Sequence, residues 1–379
     1  MLTIAIPQLY CGASGKRGAY NRQEVGLARA FAALGCRAVV LYPAPGAAAP
    51  ETECPAPGVK VLYLPARAWR VNAFYQSWQP LLDEQVDAVH VMGDNSLGVP
   101  GLYRFCRRHG IFFYSQLGAL RSQSGSAAIR AAMDLLCRRN LAIYRRTPSF
   151  AKTAAVQREL EALRVPCAGV LPVGLDTAII PAITAPRAAL RAQLGLAENA
   201  KYILFVGRLD AYKRPLDVAA VLAALPADWQ AVVIGQGSLA DELHRAMDAA
   251  GLAGRWRHIP QLPNAQVHAY YHACDVFLNC NDREIFGMSL LEAMYAGCVP
   301  VARHAPGPDE IIEDGVSGFL VGPAQGDTDA LAAAAVRAAG APAMAAAAKR
   351  RIRTHFLWQN SAERALRMLR QKGVGTHGQ

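Results

Sequence analysis

Glu284 and Glu292 stand eight residues apart in R-E-I-F-G-M-S-L-L-E-A-M-Y-A-G (283–297), with Gly287 between them. A glycine at a helix start opens the backbone. A phosphate can then reach the free N–H groups and the positive end of the helix dipole. The pattern puts one carboxylate before the helix and the other about one turn inside it. A carboxylate accepts two hydrogen bonds at once, which suits the vicinal diol of a ribose or sugar ring. Such equipment would hold a nucleotide-sugar. Two glutamates at this spacing are also common as plain helix charge; the glycine, the helix start and the apolar flanks set this pair apart.

Arg208 and Lys213 directly follow the apolar run Y-I-L-F-V (202–206). Two cations five apart on one loop suit a diphosphate, arginine as a fork and lysine as a point charge. Ordinary loop charge is the other reading. Gly235 and Gly237 form a tight turn after A-V-V-I (231–234), but Ala240 stands where a dinucleotide fingerprint has its third glycine. The early loop G-A-S-G-K-R-G (12–18) fails as a P-loop, with Tyr10 at the first glycine position and Arg17 at the Ser/Thr position. His90 sits in an apparent strand and reads as packed; His268, His272 and His304 have no evident partners. No Ser–His–Asp set and no metal-ligand spacing is present, so no metal is expected.

These residues need elements to position them. Residues 2–6, a glycine loop, a helical pattern over 21–34 and a strand at 39–42 open the chain. The second half repeats the scheme with a strand at 202–206, a loop at 207–214, a helix from about 215 and a strand at 231–234. Further strands are expected at 60–64, 87–92, 111–114, 168–172, 256–259, 275–279 and 298–302, and further helices at 187–194, 329–349 (broken at Gly340 and Pro342) and 358–371. Strand–loop–helix–strand units build parallel sheets with helices on both faces. Two of them predict an α/β protein of two Rossmann-like domains, 1–174 and 175–357. Residues 358–379 are then a crossover helix returning to the first domain, plus a disordered tail. Pro172 and Gly174 in V-L-P-V-G-L-D (170–176) read as the linker. Ligands of such sheets bind beyond the strands' carboxyl ends, where every loop above begins, so the site is expected in a cleft where the domains face each other.

At 379 residues the chain is too long for one ordinary core. Hydrophobic residues make up 53% and charged residues 18%, which excludes disorder. No apolar run reaches the ~20 residues of a membrane span, and Pro7 comes too early for a signal peptide. Nine scattered cysteines without a C-x-x-C pair predict a reducing cytosol. Residues 1–176 hold 20 Lys and Arg against 11 Asp and Glu, while the remainder holds 20 against 18. The densest basic stretch, 121–146, sets Arg121, Arg130, Arg138, Arg139, Arg145 and Arg146 against the lone acid Asp134 and interleaves them with leucine, isoleucine and methionine. Such a helix can lie on an anionic membrane surface or be a solvated arginine-rich face. No nucleic-acid motif accompanies it.

The motifs together resemble the retaining glycosyltransferases of family 4, which have the GT-B architecture. The resemblance rests on F-V-G-R-L-D-A-Y-K-R (205–214), V-I-G-Q-G-S-L (233–239), A-C-D-V-F-L-N-C (273–280), E-I-F-G-M-S-L-L-E-A-M-Y-A-G-C-V-P-V (284–301) and E-I-I-E-D-G-V-S-G-F-L-V (310–321). Looser likenesses are Q-E-V-G-L-A-R-A-F-A-A-L-G (23–35), L-P-V-G-L-D (171–176) and H-F-L-W (355–358). It implies that Glu292 binds the donor ribose. Glu284, with backbone N–H groups over Phe286, Gly287, Met288 and Ser289, holds the transferred sugar. Arg208 and Lys213 neutralise the leaving diphosphate, and Gly18 and Gly237 belong to the nucleotide-sugar site. Gln116 stands about where many relatives carry a histidine near the sugar; Lys152 and Thr153 are further candidates to face the cleft. The implied protein is a cytosolic, peripheral-membrane, metal-independent transferase needing no cofactor. Its donor is a nucleoside-diphosphate sugar, with UDP expected, and its acceptor a glycan or lipid-linked molecule of cell-surface polysaccharide assembly. The alternatives are a small soluble acceptor, a GT-B nucleotide-sugar epimerase, and a non-catalytic nucleotide-sugar-binding protein.

Overall fold

The computed structural model describes residues 1–11, 22–69, 71–118, 120, 127–322 and 327–375. The chain divides into two compact units, Met1–Asp176 with Leu357–Gln379, and Thr177–Phe356. The boundaries expected after 174 and after 357 differ from these by two residues and one residue.

The first unit opens β1 (Thr3–Pro7), α1 (Gln23–Ala33), β2 (Arg37–Pro45), β3 (Glu51–Ala56), β4 (Val59–Trp69) and β5 (Asn72–Tyr75). It continues α2 (Pro80–Asp83), β6 (Ala88–Val91), α3 (Val99–Arg108), β7 (Phe112–Leu117), α4 (Ala127–Tyr144), β8 (Ser149–Ala151), α5 (Ala154–Ala162) and β9 (Cys167–Val170). The strands order as β3-β4-β2-β1-β6-β7-β8-β9, with β5 on β4. All pairs are parallel except β3 and β5, which run antiparallel to β4. Central β1 and β6 are buried at every residue, as strands covered by helices on both faces must be.

The second unit runs α6 (Arg187–Leu194), β10 (Lys201–Val206), α7 (Asp217–Ala224), β11 (Trp229–Ile234), α8 (Ala240–Ala249), β12 (Trp256–Ile259), α9 (Asn264–Ala273) and β13 (Val276–Asn279). Then follow α10 (Met288–Ala296), β14 (Val299–Arg303), α11 (Pro306–Ile311), β15 (Phe319–Val321), α12 (Asp327–Ala339) and α13 (Pro342–His355). Its sheet, β12-β11-β10-β13-β14-β15, is parallel throughout.

The last helix, α14 (Trp358–Gln371), belongs to the first unit. Its Trp358 is buried against Gly26 of α1 and Gly174, where a Cβ would collide with the indole or its backbone. Ser361 Oγ donates to the Pro172 carbonyl at 2.8 Å and Arg364 to that of Val170 at 2.9 Å. The segment read as a linker is therefore packed: residues 171–175, Pro172 and Gly174 included, are all buried. The expected disordered tail starts as a turn, with the Val374 N–H donating to the Leu369 carbonyl at 3.0 Å; residues 376–379 lie outside the described residues. Strands β3, β5, β8 and β15 were not anticipated.

Candidate active site

The loops after β10, β11 and β13 carry the predicted second-unit residues. Leaving β10, the chain passes Arg208 and Lys213, and Tyr212 organises both. The Arg208 guanidinium lies 5.1 Å and the Lys213 Nζ 5.2 Å from the Tyr212 ring centroid, each within cation–π range. Arg208 also donates to Tyr212 Oη at 3.0 Å and pairs with Asp210 at 3.2 Å, yet its side chain stays 69% exposed. It is tethered and open to a ligand. The turn after β11 packs onto this loop: a Cβ on Gly235 would collide with the Gly207 carbonyl, and one on Gly237 with the Leu209 backbone. That close approach accounts for glycine at 237. Asp210 Oδ1 accepts from the Ser238 N–H at 3.2 Å and ties the two loops.

Beyond β13, side-chain-to-backbone turns build the loop: Asn279 Oδ1 accepts from the Asn281 N–H, and Asn281 Oδ1 from the Arg283 N–H. Asn281 Nδ2 then donates to Glu284 Oε2 at 3.2 Å. The same oxygen pairs with Lys213 Nζ, so a cation and a carboxylate 71 residues apart in sequence meet at the sheet's carboxyl edge. Phe286 is buried, its ring 6.3 Å from that of Phe356. It contributes backbone to the site, while its side chain serves the core. Gly287 has φ 98° and ψ 79° at the N-terminus of α10, a left-handed conformation that costs other residues strain. Met288 and Ser289 follow half-buried in the first turn, where N–H groups lack intrahelical acceptors.

Glu292 lies one turn further along, 7% exposed. Its Oε2 accepts from Tyr271 Oη at 3.0 Å and its Oε1 from Asn264 Nδ2 at 3.5 Å, both on α9. Burial pushes its pKa up to about 7, against the opposing pull of those two hydrogen bonds. Tyr212, Tyr271, Asn264 and Asn281 were not singled out from the sequence. Only Asn281, in N-C-N-D-R-E (279–284), left a local signal, as a turn-forming residue near Glu284.

In the first unit, Gly18 lies outside the described residues. Gln116 is fully buried in β7. Its amide donates to the Leu171 carbonyl at 2.6 Å, and its Oε1 meets His90 Nε2 at 3.2 Å. The sugar contact expected of it is not available, because no atom reaches the surface. His90 is buried as expected, and burial lowers its pKa to about 4. Lys152 pairs with Asp94 at 3.3 Å, while Thr153 is buried and caps α5. His304, expected to lack a partner, pairs with Asp309 at 2.8 Å. Among the described residues, no three or more His, Cys, Asp or Glu side chains are grouped to hold a metal ion.

The sequence profile of the family described as glycosyl transferases group 1 matches residues 186–369. That segment belongs to the group 1 glycosyl transferases. Over 190 residues, 47% of this chain and 42% of the relative, the chain is 34% identical to a D-inositol 3-phosphate glycosyltransferase of Geodermatophilus obscurus. Over 217 residues, 53% and 47% of the two chains, it is 31% identical to one of Acidothermus cellulolyticus. The chain thus spans less than half the length of these relatives. A sucrose-phosphate synthase from Thermosynechococcus elongatus superposes with TM-score 0.78 at 20% identity, over 98% of this chain and 99% of that one. Anabaena HepE in complex with UDP and glucose superposes with TM-score 0.70 at 19% identity, over 98% and 100%. At those identities the likeness establishes the fold, which is GT-B. In this group 1 segment the matched range contains every second-unit residue described above.

Proposed function

We propose that this protein is a retaining, metal-independent glycosyltransferase that moves a sugar from a nucleoside-diphosphate donor to a hydroxyl acceptor. The observation that carries the reading is the convergence of Lys213 and Glu284 at the open N-terminus of α10, with Glu292 one turn inside. When the bond from the anomeric carbon to the diphosphate oxygen breaks, charge grows on the phosphate while the sugar becomes cationic. Arg208, Lys213 and the helix N-terminus are fixed where that negative charge develops, which lowers the barrier. The acceptor hydroxyl attacks from the leaving-group face, its oxygen bonding to the anomeric carbon as its proton passes to the departing phosphate. Glu292 accepts from the ribose hydroxyls and Glu284 from the transferred sugar. UDP is the expected nucleotide.

For the acceptor, two features support different choices. Exposed Leu135 and Leu136 among exposed Arg138, Arg139, Arg145 and Arg146 on and just beyond α4 favour a protein resting on an anionic membrane, with a lipid-linked or glycan acceptor. The names of the curated relatives favour a small phosphorylated polyol. A thermal-shift panel of UDP, GDP, ADP and their sugar conjugates, on wild type and Glu292→Ala, tests the reading. A ligand that binds only the folded state raises the melting temperature. Stabilisation by one nucleotide that is lost in Glu292→Ala is expected; no shift with any of them sinks the donor assignment.

A further inference from the structure

Asp217, at the start of α7, joins three segments of the second unit that no motif links. Its Oδ2 accepts from Arg214 Nε at 2.8 Å and from Arg303 Nη1. Arg303, the last residue of β14, has a side chain only 1% exposed. Asp327 closes its guanidinium as a bidentate partner at 2.6 Å, and the Cys280 carbonyl accepts from it at 2.9 Å. Burial works against the Arg303 charge, but Asp327 and Asp217 outweigh it and hold its pKa above the usual value. Arg214 reaches on to Asp282 Oδ2 at 2.9 Å.

These contacts flank the two residues that meet in the site. Lys213 immediately precedes Arg214, whose φ of 53° bends the chain just after the lysine. Glu284 lies two residues past Asp282, on the loop whose first carbonyl Arg303 holds. A buried guanidinium with two carboxylate partners is costly to rearrange and fixes its neighbours. We infer that the Arg303–Asp217–Arg214–Asp282 relay is a positioning device: it holds the backbones of Lys213 and Glu284 at a set separation, so that the diphosphate meets a site already in place. The inference rests on the donor reading above.

Arg214 and Asp282 form the outer end, with side chains 36% and 30% exposed, so removing them leaves the buried Arg303 clamp intact. Arg214→Gln, Asp282→Asn and the double variant are titrated with whichever of UDP, GDP or ADP binds wild type, and with its monophosphate. The expected result is a melting temperature near wild type, a roughly tenfold weaker diphosphate and an unchanged monophosphate. The double variant should be no worse than Arg214→Gln alone, because that substitution already breaks the Arg214–Asp282 link, and Asp282→Glu should recover part of the loss of Asp282→Asn. Equal weakening of both nucleotides, or no change in either, overturns the inference. Wild type binding none of the three diphosphates defeats the donor reading itself, and this inference with it.

Discussion

Glu292 carries opposite demands. Held at a pKa of about 7 by burial, it keeps its proton in the folded protein over a range where the unfolded chain has released it. Stability therefore falls as pH rises from the ordinary glutamate range towards 7. Above that, the full penalty applies, about 3 kcal/mol at ~1.4 kcal/mol per unit. Glu292→Gln should melt higher than wild type at pH 8, with the gap shrinking to about 1 kcal/mol or less at pH 5; identical pH dependence of the two melting curves would refute this. Nucleotide binding should run the other way. Two ribose hydroxyls need two acceptor oxygens, so wild-type affinity should rise from pH 6 to pH 8 and that of Glu292→Gln stay flat. This residue was legible in the sequence because its signal is local: a carboxylate at a fixed offset from a glycine helix start. Tyr271 and Asn264, which share its proton balance, were not, because a neighbouring helix brings them there. Gln116 misled for a similar reason: nothing in F-F-Y-S-Q-L-G shows that its amide is consumed by Leu171, 55 residues away.

At the level of elements, helix α14 shows how one indole can hold a unit closed. Trp358 fills space left by Gly26 and Gly174. Trp358→Ala should destabilise by about 3–5 kcal/mol, the usual cost of emptying a buried aromatic site. The denaturation midpoint should drop accordingly, and Gly174→Ala should fail similarly from the opposite cause, overfilling. Most strands of both sheets were readable because their apolar runs are bounded by turn residues, and so were α1, α6, α7, α10 and α14, while α3, α5, α8, α9 and α11 were not anticipated. The missed strands are short or lie at edges. β3, E-T-E-C-P-A, pairs only with β4 and carries two glutamates and Pro55, the composition of a protected edge. β8 and β15 have three residues each, too few for a period to register.

On the scale of the molecule, the excess of positive charge lies in the first 176 residues, and α4 presents it with Leu135 at 59% exposure beside Arg138 and Arg139. Wild type should co-float with vesicles rich in phosphatidylglycerol and not with neutral ones. Replacing Arg138, Arg139, Arg145 and Arg146 with Ser should abolish this, and salt should weaken it in the same direction; salt-independent flotation of the variant would refute the electrostatic account. The first unit also has an order of manufacture built into it. Its sheet comes from the start of the chain, but α14, which seals α1, is made only after all of Thr177–Phe356. At cellular synthesis rates the early strands wait on the order of ten to forty seconds for that helix. The second unit is continuous in the chain, whereas the first stays unfinished until α14 has been made.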